Sequence, residues 1–158
     1  MLQYRAPIRD IQFALHELLN VDAHYASIPA YTEATRELVD SIIEAGAKFA
    51  EEELSPLNRI GDEEGCRLQN GNVSTPKGFK EAYANYVSLG YGSIAAPTEY
   101  GGQGLPPSLG IVLGEMNGTA NWSWGMYPGL SHGATKTVEA HGTPEQKAVY
   151  LPKLISGE

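Results

Sequence analysis

Apolar residues recur at intervals of three and four along most of the chain, and this spacing limits the possible folds more than any other feature. Such a stripe is typical of an amphipathic α-helix that buries one face. No run of alternating β-branched residues indicates a strand. The sequence therefore predicts an all-α, bundle-like fold. The clearest stripe lies in residues 32–54 and comprises Leu38, Val39, Ile42, Ile43, Phe49, Ala50 and Leu54.

Proline and glycine predict where the helices begin and end in the first half of the chain. An amphipathic helix is expected at residues 7–19, followed by a polar connector through Tyr31. Ser55-Pro56 should end the second helix, because proline disfavours the helical conformation in the residue before it. Residues 58–74 should then form a loop. A third helix should begin at Thr75-Pro76 and end at Gly90.

Three further helices are predicted in the second half. The fourth helix should start at Pro106-Pro107-Ser108 and break at Gly118 and Asn121, and another should follow over residues 122–140. The last helix starts at Thr143. Thr143 and Gln146 have the spacing of a capping box, in which each side chain bonds the other residue's backbone N–H.

Composition argues against several classes of protein. The chain has 11 basic and 19 acidic residues, and this balance argues against nucleic-acid binding. Cys66 is the single cysteine, so no internal disulfide can form. No segment is predicted to span a membrane and no signal peptide is evident. The single cysteine favours a reducing compartment, and we expect a cytoplasmic protein. No pair of histidines has metal-ligand spacing, so we expect no metal site. Glu51, Glu52 and Glu53 are interpreted as a solvated charged face.

A glycine-rich loop is the first of two motifs that point to a family. The segment Pro97-Thr-Glu-Tyr-Gly-Gly-Gln-Gly104 carries the motif residues Pro97, Glu99, Gly101, Gly102 and Gly104. This run resembles the loop between helices in the α-helical N-terminal domain of acyl-CoA dehydrogenases. Glycines there would permit positive φ and close backbone approach.

The second motif is the run from Gly142 to Glu158. Gly142, Thr143, Gln146 and several following residues are similar to the last helix of the same family domain. Together the two motifs suggest that residues 32–158 are that domain. Residues 1–31 would be an N-terminal extension with one amphipathic helix. Residues 4–19 look like the extension of a long acyl-CoA dehydrogenase subgroup.

The resemblance implies a function for the parent protein. Members of this family oxidise an acyl-CoA to a trans-2-enoyl-CoA: a glutamate removes the α-proton and FAD accepts the β-hydride. Acyl-CoA as substrate, electron-transfer flavoprotein as redox partner and a homo-oligomer are implied with it. The catalytic base and the residues that bind FAD are expected beyond residue 158, in a middle β-domain and a C-terminal helical domain. The fragment itself is therefore expected to be inactive.

Within the chain, one wall of the substrate pocket is expected. The candidates on the fourth helix are Val112, Glu115 and Met116, and those on the next helix are Tyr127 and Ser131. Glu115 is chosen because a carboxylate among apolar neighbours requires an explanation. Ordinary helix packing is the alternative for each residue. An acyl-CoA oxidase, a flavin monooxygenase of the same fold, and a helical binding module without catalysis remain alternative functions.

Overall fold

The computed structural model describes residues 3–158 and confirms the all-α prediction, with one small hairpin added. The α-helices are α1 (Ile8–Gln12), α2 (Val21–Ala26), α3 (Arg36–Phe49), α4 (Ser55–Glu64), α5 (Phe79–Ser88), α6 (Pro107–Ala120), α7 (Trp122–His141) and α8 (Pro144–Ser156). Two π-helical segments, Phe13–Leu18 and Ala50–Leu54, extend α1 and α3. Short 3-10 turns occupy Pro29–Tyr31, Tyr91–Ser93 and Thr98–Tyr100.

The predicted helix stop at Ser55-Pro56 is wrong. The chain remains helical from Arg36 to Glu64, and the π-helical segment Ala50–Leu54 lies just before Pro56. Proline lacks an N–H and its ring crowds the carbonyl four residues earlier, which in an ordinary α-helix breaks the helix. In the wider π turn, backbone hydrogen bonds join residues that are five apart instead of four, so Pro56 does not end the helix.

The predicted loop at residues 58–74 is also wrong. Helix α4 fills its first part, and β1 (Arg67–Gln69) pairs antiparallel with β2 (Asn72–Ser74) in the second part. Asn70 and Gly71 connect the strands with φ values of 51° and 78°. An Asn-Gly pair with positive φ at both positions is the preferred two-residue hairpin turn. The strands are too short to show alternation, so the turn was the only sequence signal.

Three further details of the helices differ from the prediction. The connector that follows α1 contains α2, with Asn20 in the left-handed conformation at its start. Helix α5 begins at Phe79 rather than at Thr75-Pro76, and Gly78, with φ of 86°, occupies the position before it. Helix α6 continues through Gly118, and the break falls only at Asn121.

A single large core joins α3, α6 and α7. Trp124, Ile43, Leu54, Leu109 and Met116 are its largest fully buried side chains. The carboxamide of Asn121 fastens the helix junction from inside this core. Its Nδ2 donates to the Leu54 carbonyl at 3.3 Å and its Oδ1 accepts from the Trp124 N–H at 3.1 Å.

The N-terminal segment packs against this core. Leu15, Val21 and Tyr25 are buried in it. Glu51 forms a salt bridge with Arg5 and accepts the Ala6 N–H at 2.9 Å. The solvated interpretation of the acidic run is therefore wrong for Glu51. It is wrong as well for Glu53, which accepts a hydrogen bond from the Asn85 amide.

Within residues 3–158, none of the helices has the length and apolar character needed to cross a membrane.

Candidate functional site

The Pro97–Gly104 loop is folded tightly onto the segment that precedes it. The Gly102 N–H donates to the Pro97 carbonyl, and the Gly104 N–H donates to the Ala96 carbonyl, both at 2.9 Å. Gly101 and Gly104 have φ of 88° and 64°, a region that other residues rarely adopt. A Cβ on Gly102 would overlap the Ala96 carbonyl. Each glycine of the motif is thus required by backbone geometry.

The two sequence motifs pack against each other. Ala96, from the segment just before the loop, forms a small second core with Leu151 and Ile155 of α8, flanked by Tyr100 and Val138. The capping box predicted at the start of α8 is confirmed. The Thr143 Oγ1 accepts from the Gln146 N–H at 3.3 Å, and the Gln146 Oε1 accepts from the Thr143 N–H at 2.9 Å. The loop region and α8 are therefore in contact through this second core.

The segment before the loop and the end of α8 contribute to the wall of a cavity. It has a volume of about 440 Å³ and lies among α5, α6, α7, the end of α8 and residues 90–96. Glycines contribute much of the wall on α6 and α7, so the helices leave open space where side chains would otherwise meet. The residues of the wall include Ile94, Gly110, Leu113, Asn117, Gly125, Pro128, Gly129, Ser131, His132 and Thr135.

The cavity is lined mainly by apolar and aromatic groups, with few polar ones. Tyr86 lines it, and burial together with the neighbouring Tyr83 raises the pKa of Tyr86 to about 12. Tyr86 therefore stays a neutral phenol at physiological pH. Tyr91 is also on the wall, and burial, with a smaller contribution from Glu53, raises its pKa. Neither Tyr86 nor Tyr91 is therefore ionised near neutrality.

An exposed apolar ridge lies on α7, beside the part of that helix that lines the cavity but not itself part of the lining. Trp122, Met126 and Leu130 on α7 are 72%, 50% and 74% exposed and are spaced by four residues, so they form one stripe. Gly125 and Gly129, each one residue before a member of the ridge, line the cavity itself. The ridge is a contiguous apolar surface of the kind that marks a binding site or a docking surface.

The structure separates the pocket candidates on α6. Met116 is 1% exposed and belongs to the core, and Val112 packs against the same core. Glu115 is exposed, so its carboxylate needs no buried partner. Glu115 is near Tyr4, whose pKa is raised first by burial and then by the negative charges of Glu115 and Glu51. None of the three α6 candidates lines the cavity.

The two candidates on α7 lie apart from each other. Ser131 lines the cavity. Tyr127 instead lines a separate, open groove beside the hairpin, where its hydroxyl is 3.8 Å from the Cys66 sulfur. Burial, followed by the contact with Cys66, raises the pKa of Tyr127. Of the five candidate residues, Ser131 is thus the one that lines the cavity.

Sequence reasoning did not identify the ridge or Asn117. The spacing of Trp122, Met126 and Leu130 was visible, but the same spacing is typical of a buried helix face. Nothing in the sequence alone distinguished an apolar stripe that packs inward from one that remains exposed. Asn117 resembled any polar residue of a helix.

The cavity does not fit FAD. A flavin dinucleotide needs backbone N–H groups or basic side chains around its pyrophosphate. Among the described residues that line the cavity, the basic ones are His132 and Lys136, and both are exposed. The wall is otherwise apolar, aromatic or neutral. The residues of this chain can hold an apolar group in the cavity, but they do not form a flavin site.

Comparisons with known proteins identify the class. Residues 32–158 match the family described as "Acyl-CoA dehydrogenase, N-terminal domain". The chain is 39% identical over 156 residues to 3-methylmercaptopropionyl-CoA dehydrogenase of Ruegeria pomeroyi. This match covers 99% of the present chain and 26% of that protein. It is 30% identical to a butyryl-CoA dehydrogenase of Syntrophomonas wolfei, in a match that covers 98% of this chain and 26% of that protein. It is 31% identical to the mitochondrial isovaleryl-CoA dehydrogenase of Pongo abelii, in a match that covers 90% of this chain and 30% of that protein.

The chain belongs to the acyl-CoA dehydrogenase family. It spans roughly a quarter to a third of the length of these curated relatives. The resemblance drawn from the two motifs is thereby confirmed.

Proposed function

We propose that this chain is the N-terminal part of a FAD-dependent acyl-CoA dehydrogenase and supplies one wall of its acyl pocket. The observation that carries the proposal is the pairing of the 440 Å³ cavity with the exposed ridge Trp122, Met126 and Leu130. An acyl chain is apolar, and such a chain is held by apolar surface removed from water. The family supports the substrate class, because its relatives carry the names of acyl-CoA dehydrogenases.

In this proposal the residues of the chain bind and orient the acyl group and exclude water. Ile111, which lines the cavity and is 71% exposed, and the ridge on α7 would contact the chain. Ser131 remains a candidate contact within the cavity. Val112, Glu115, Met116 and Tyr127 remain candidates only if the rest of the enzyme extends the pocket beyond this cavity.

The chemistry would be supplied outside these residues. FAD held elsewhere in the enzyme would supply the hydride acceptor, and the base for the α-proton would also come from outside these residues. We propose that both the FAD site and the base lie in parts of the enzyme beyond residue 158. An electron-transfer flavoprotein as acceptor, a homo-oligomer, a cytoplasmic location and a role in fatty acid β-oxidation belong to the same proposal.

The division of the chain is also proposed. Residues 1–31 would form an extension with an amphipathic helix, and residues 32–158 the helical domain. The extension contributes to the shared core through Leu15, Val21 and Tyr25. We therefore expect that removal of residues 1–31 destabilises the helical domain.

The proposal can be tested by a substitution on α7 that places a large side chain in the cavity. A Cβ added at Gly129 meets nothing within 4 Å, so a larger side chain there can enter the open space. In the full-length enzyme, Gly129→Phe should lower kcat/KM for acyl-CoA oxidation, measured with an artificial electron acceptor, by at least about tenfold. The matched control is Ala148→Phe on the exposed surface of α8. Unchanged kcat/KM in Gly129→Phe would contradict the proposed pocket.

A second measurement tests the assignment of the chemistry. The 158-residue chain is expected to show no flavin absorbance after purification and no acyl-CoA oxidation with added FAD. A yellow and active preparation would show that the base and the flavin site lie within these residues.

A further inference from the structure

The chain contains two Asn-Gly pairs, and the fold places them in opposite surroundings. Asn70 and Gly71 form the tip of the hairpin between β1 and β2, whereas Asn117 and Gly118 lie within α6. The two residues of an Asn-Gly pair can react with each other, because glycine has no side chain to keep its backbone nitrogen away from the asparagine carboxamide. The outcome depends on whether the surrounding structure lets the two groups meet.

The hairpin that carries Asn70 projects into solvent. Residues 66–75 are all exposed, and Leu68 and Val73, which are paired across the strands, are 72% and 68% exposed. The Gly71 N–H donates to no backbone carbonyl in the described part of the chain, and a Cβ at Gly71 would meet nothing within 4 Å. An isolated two-stranded hairpin is marginally stable in water, so this turn opens at little cost in free energy.

The second Asn-Gly pair is held in place by its helix. Asn117 is 6% exposed, and its backbone carbonyl accepts from the Asn121 N–H at 2.9 Å. Gly118 lies inside α6, where each backbone N–H is bonded to the carbonyl four residues earlier. The Trp122 ring packs over this glycine, because a Cβ at Gly118 would lie 3.0 Å from that ring. The Gly118 nitrogen therefore cannot reach the Asn117 carboxamide unless α6 unwinds.

We propose that Asn70 is a site of spontaneous modification by water, at which the hairpin tip loses ammonia and acquires a carboxylate. The Gly71 backbone nitrogen attacks Cγ of Asn70, and the new N–Cγ bond closes a five-membered imide. The Cγ–Nδ2 bond breaks, and the amide hydrogen of Gly71 leaves with Nδ2 as ammonia. Water then opens the imide, giving aspartate when it attacks Cγ and isoaspartate when it attacks the main-chain carbonyl carbon. The net change exchanges ammonia for water, without oxidation or reduction.

The isoaspartate product alters the hairpin. Its main chain runs through the former side chain, which adds a backbone atom to a turn built from two residues with positive φ. The pairing of Gln69 with Asn72 beside the turn is therefore lost. Val73 and Ser74 also line the open groove beside Tyr127, so the modification changes one wall of that groove.

The first experiment incubates the purified 158-residue chain at mildly alkaline pH, both folded and in urea, and follows the two Asn-Gly pairs by peptide mass spectrometry. In urea the two asparagines should react at similar rates, because no structure separates them. In the folded chain Asn70 should react within about tenfold of its rate in urea. Asn117 should react at least about a hundredfold more slowly than Asn70, because it requires opening of α6. The product at Asn70 should include isoaspartate, which direct hydrolysis of the carboxamide does not form.

A variant identifies the attacking nitrogen. Gly71→Ala places a methyl group beside it and should slow the loss of ammonia from Asn70 about tenfold, a barrier increase of about 1.4 kcal/mol. Gly65→Ala is the matched control, because Gly65 also has a positive φ, 61°, and its Cβ would meet nothing within 4 Å. The control carries similar backbone strain and should leave the rate unchanged. The comparison in urea holds even if Gly71→Ala disrupts the hairpin, because the methyl group hinders the nitrogen in the unfolded chain as well.

Similar rates at Asn70 and Asn117 in the folded chain, whether both are fast or both are slow, would overturn the inference. Equal rates in Gly71→Ala and Gly65→Ala would overturn it as well, because the attack would then not pass through the Gly71 nitrogen. Neither measurement involves acyl-CoA, so the proposed function is unaffected by both results.

Discussion

The Nε2 of His16 lies 2.9 Å from the Oδ1 of Asp40, and this contact fastens the N-terminal segment to α3. The Nδ1 of the same ring lies 2.8 Å from the Oδ1 of Asp22, and the His16 side chain is 0% exposed. Ionised carboxylates only accept hydrogen bonds, so each ring nitrogen must donate when both aspartates are charged. The buried ring is thus held between Asp22 on α2 and Asp40 on α3.

Replacement of this ring should destabilise the chain. In His16→Gln, one side chain can no longer bond both aspartates, and we expect the free energy of unfolding to fall by about 2–3 kcal/mol. The loss should stay below that of a fully buried pair, because the aspartate side chains are 32% and 28% exposed. Urea denaturation measures it. His24→Gln, at an exposed position of α2, is the control, and an equal loss there would contradict the special role of His16.

The carboxylate of Glu51 should make stability depend on pH in the acid range. The Ala6 N–H, aided by Arg5 and opposed by burial, holds the pKa of Glu51 below its usual value of 4.5. A carboxylate with a lowered pKa in the folded state stabilises above its unfolded pKa, and this contribution is lost as the pH falls through the folded value. We expect Glu51→Gln to cost about 1 kcal/mol at pH 7 and less at pH 3. An equal cost at both pH values, by urea denaturation, would argue against the charged contact.

The close approach of α3 and α6 should make Gly46 intolerant of a side chain. A Cβ at Gly46 would overlap the Leu113 side chain and press on Met116. We expect Gly46→Ala to lower stability by about 1–3 kcal/mol through overpacking. Gly133→Ala on α7 is the matched control, because its Cβ would meet nothing within 4 Å. The control should be neutral or more stable by up to about 1 kcal/mol, since alanine favours helix. Thermal unfolding of both variants measures the difference.

The capping box of α8 should be important for the position of that helix. Thr143→Ala removes the acceptor for the Gln146 N–H, so we expect a loss of about 1 kcal/mol. Hydrogen exchange should speed up most in the first turn of α8. Gln146→Ala removes only the reciprocal bond and should cost less. Protection unchanged in both variants would show that packing against α7 and Ala96, without the capping box, holds the helix.

The phenol of Tyr86 should titrate late. Burial raises its pKa to about 12, so its ultraviolet absorbance change should appear about two pH units above that of a free tyrosine. The raised value also means that stability declines from about pH 10 upward, where the unfolded chain ionises first. Tyr86→Phe should remove this late step. A midpoint near 10 in the folded protein would show that the ring is not buried as described.

The sequence alone determined the helical class, the capped start of α8 and the family. Apolar spacing and the Thr143–Gln146 pair are local signals, and the glycines of the Pro97–Gly104 loop follow from local backbone geometry. Each depends on residues close together in the chain, so each could be identified without coordinates.

The site was decided by tertiary structure, because exposure depends on what packs against each face. The ridge of Trp122, Met126 and Leu130 has the spacing of a core stripe, yet it lies outside the core. Glu115, chosen for its apolar neighbours in sequence, is solvent-exposed, while Asn117, two residues later, is buried with an unpaired oxygen. The helix through Pro56 likewise required a π turn that no local signal specified. Periodicity gives the face on which a residue lies, and only the packing of the other helices determines whether that face is covered.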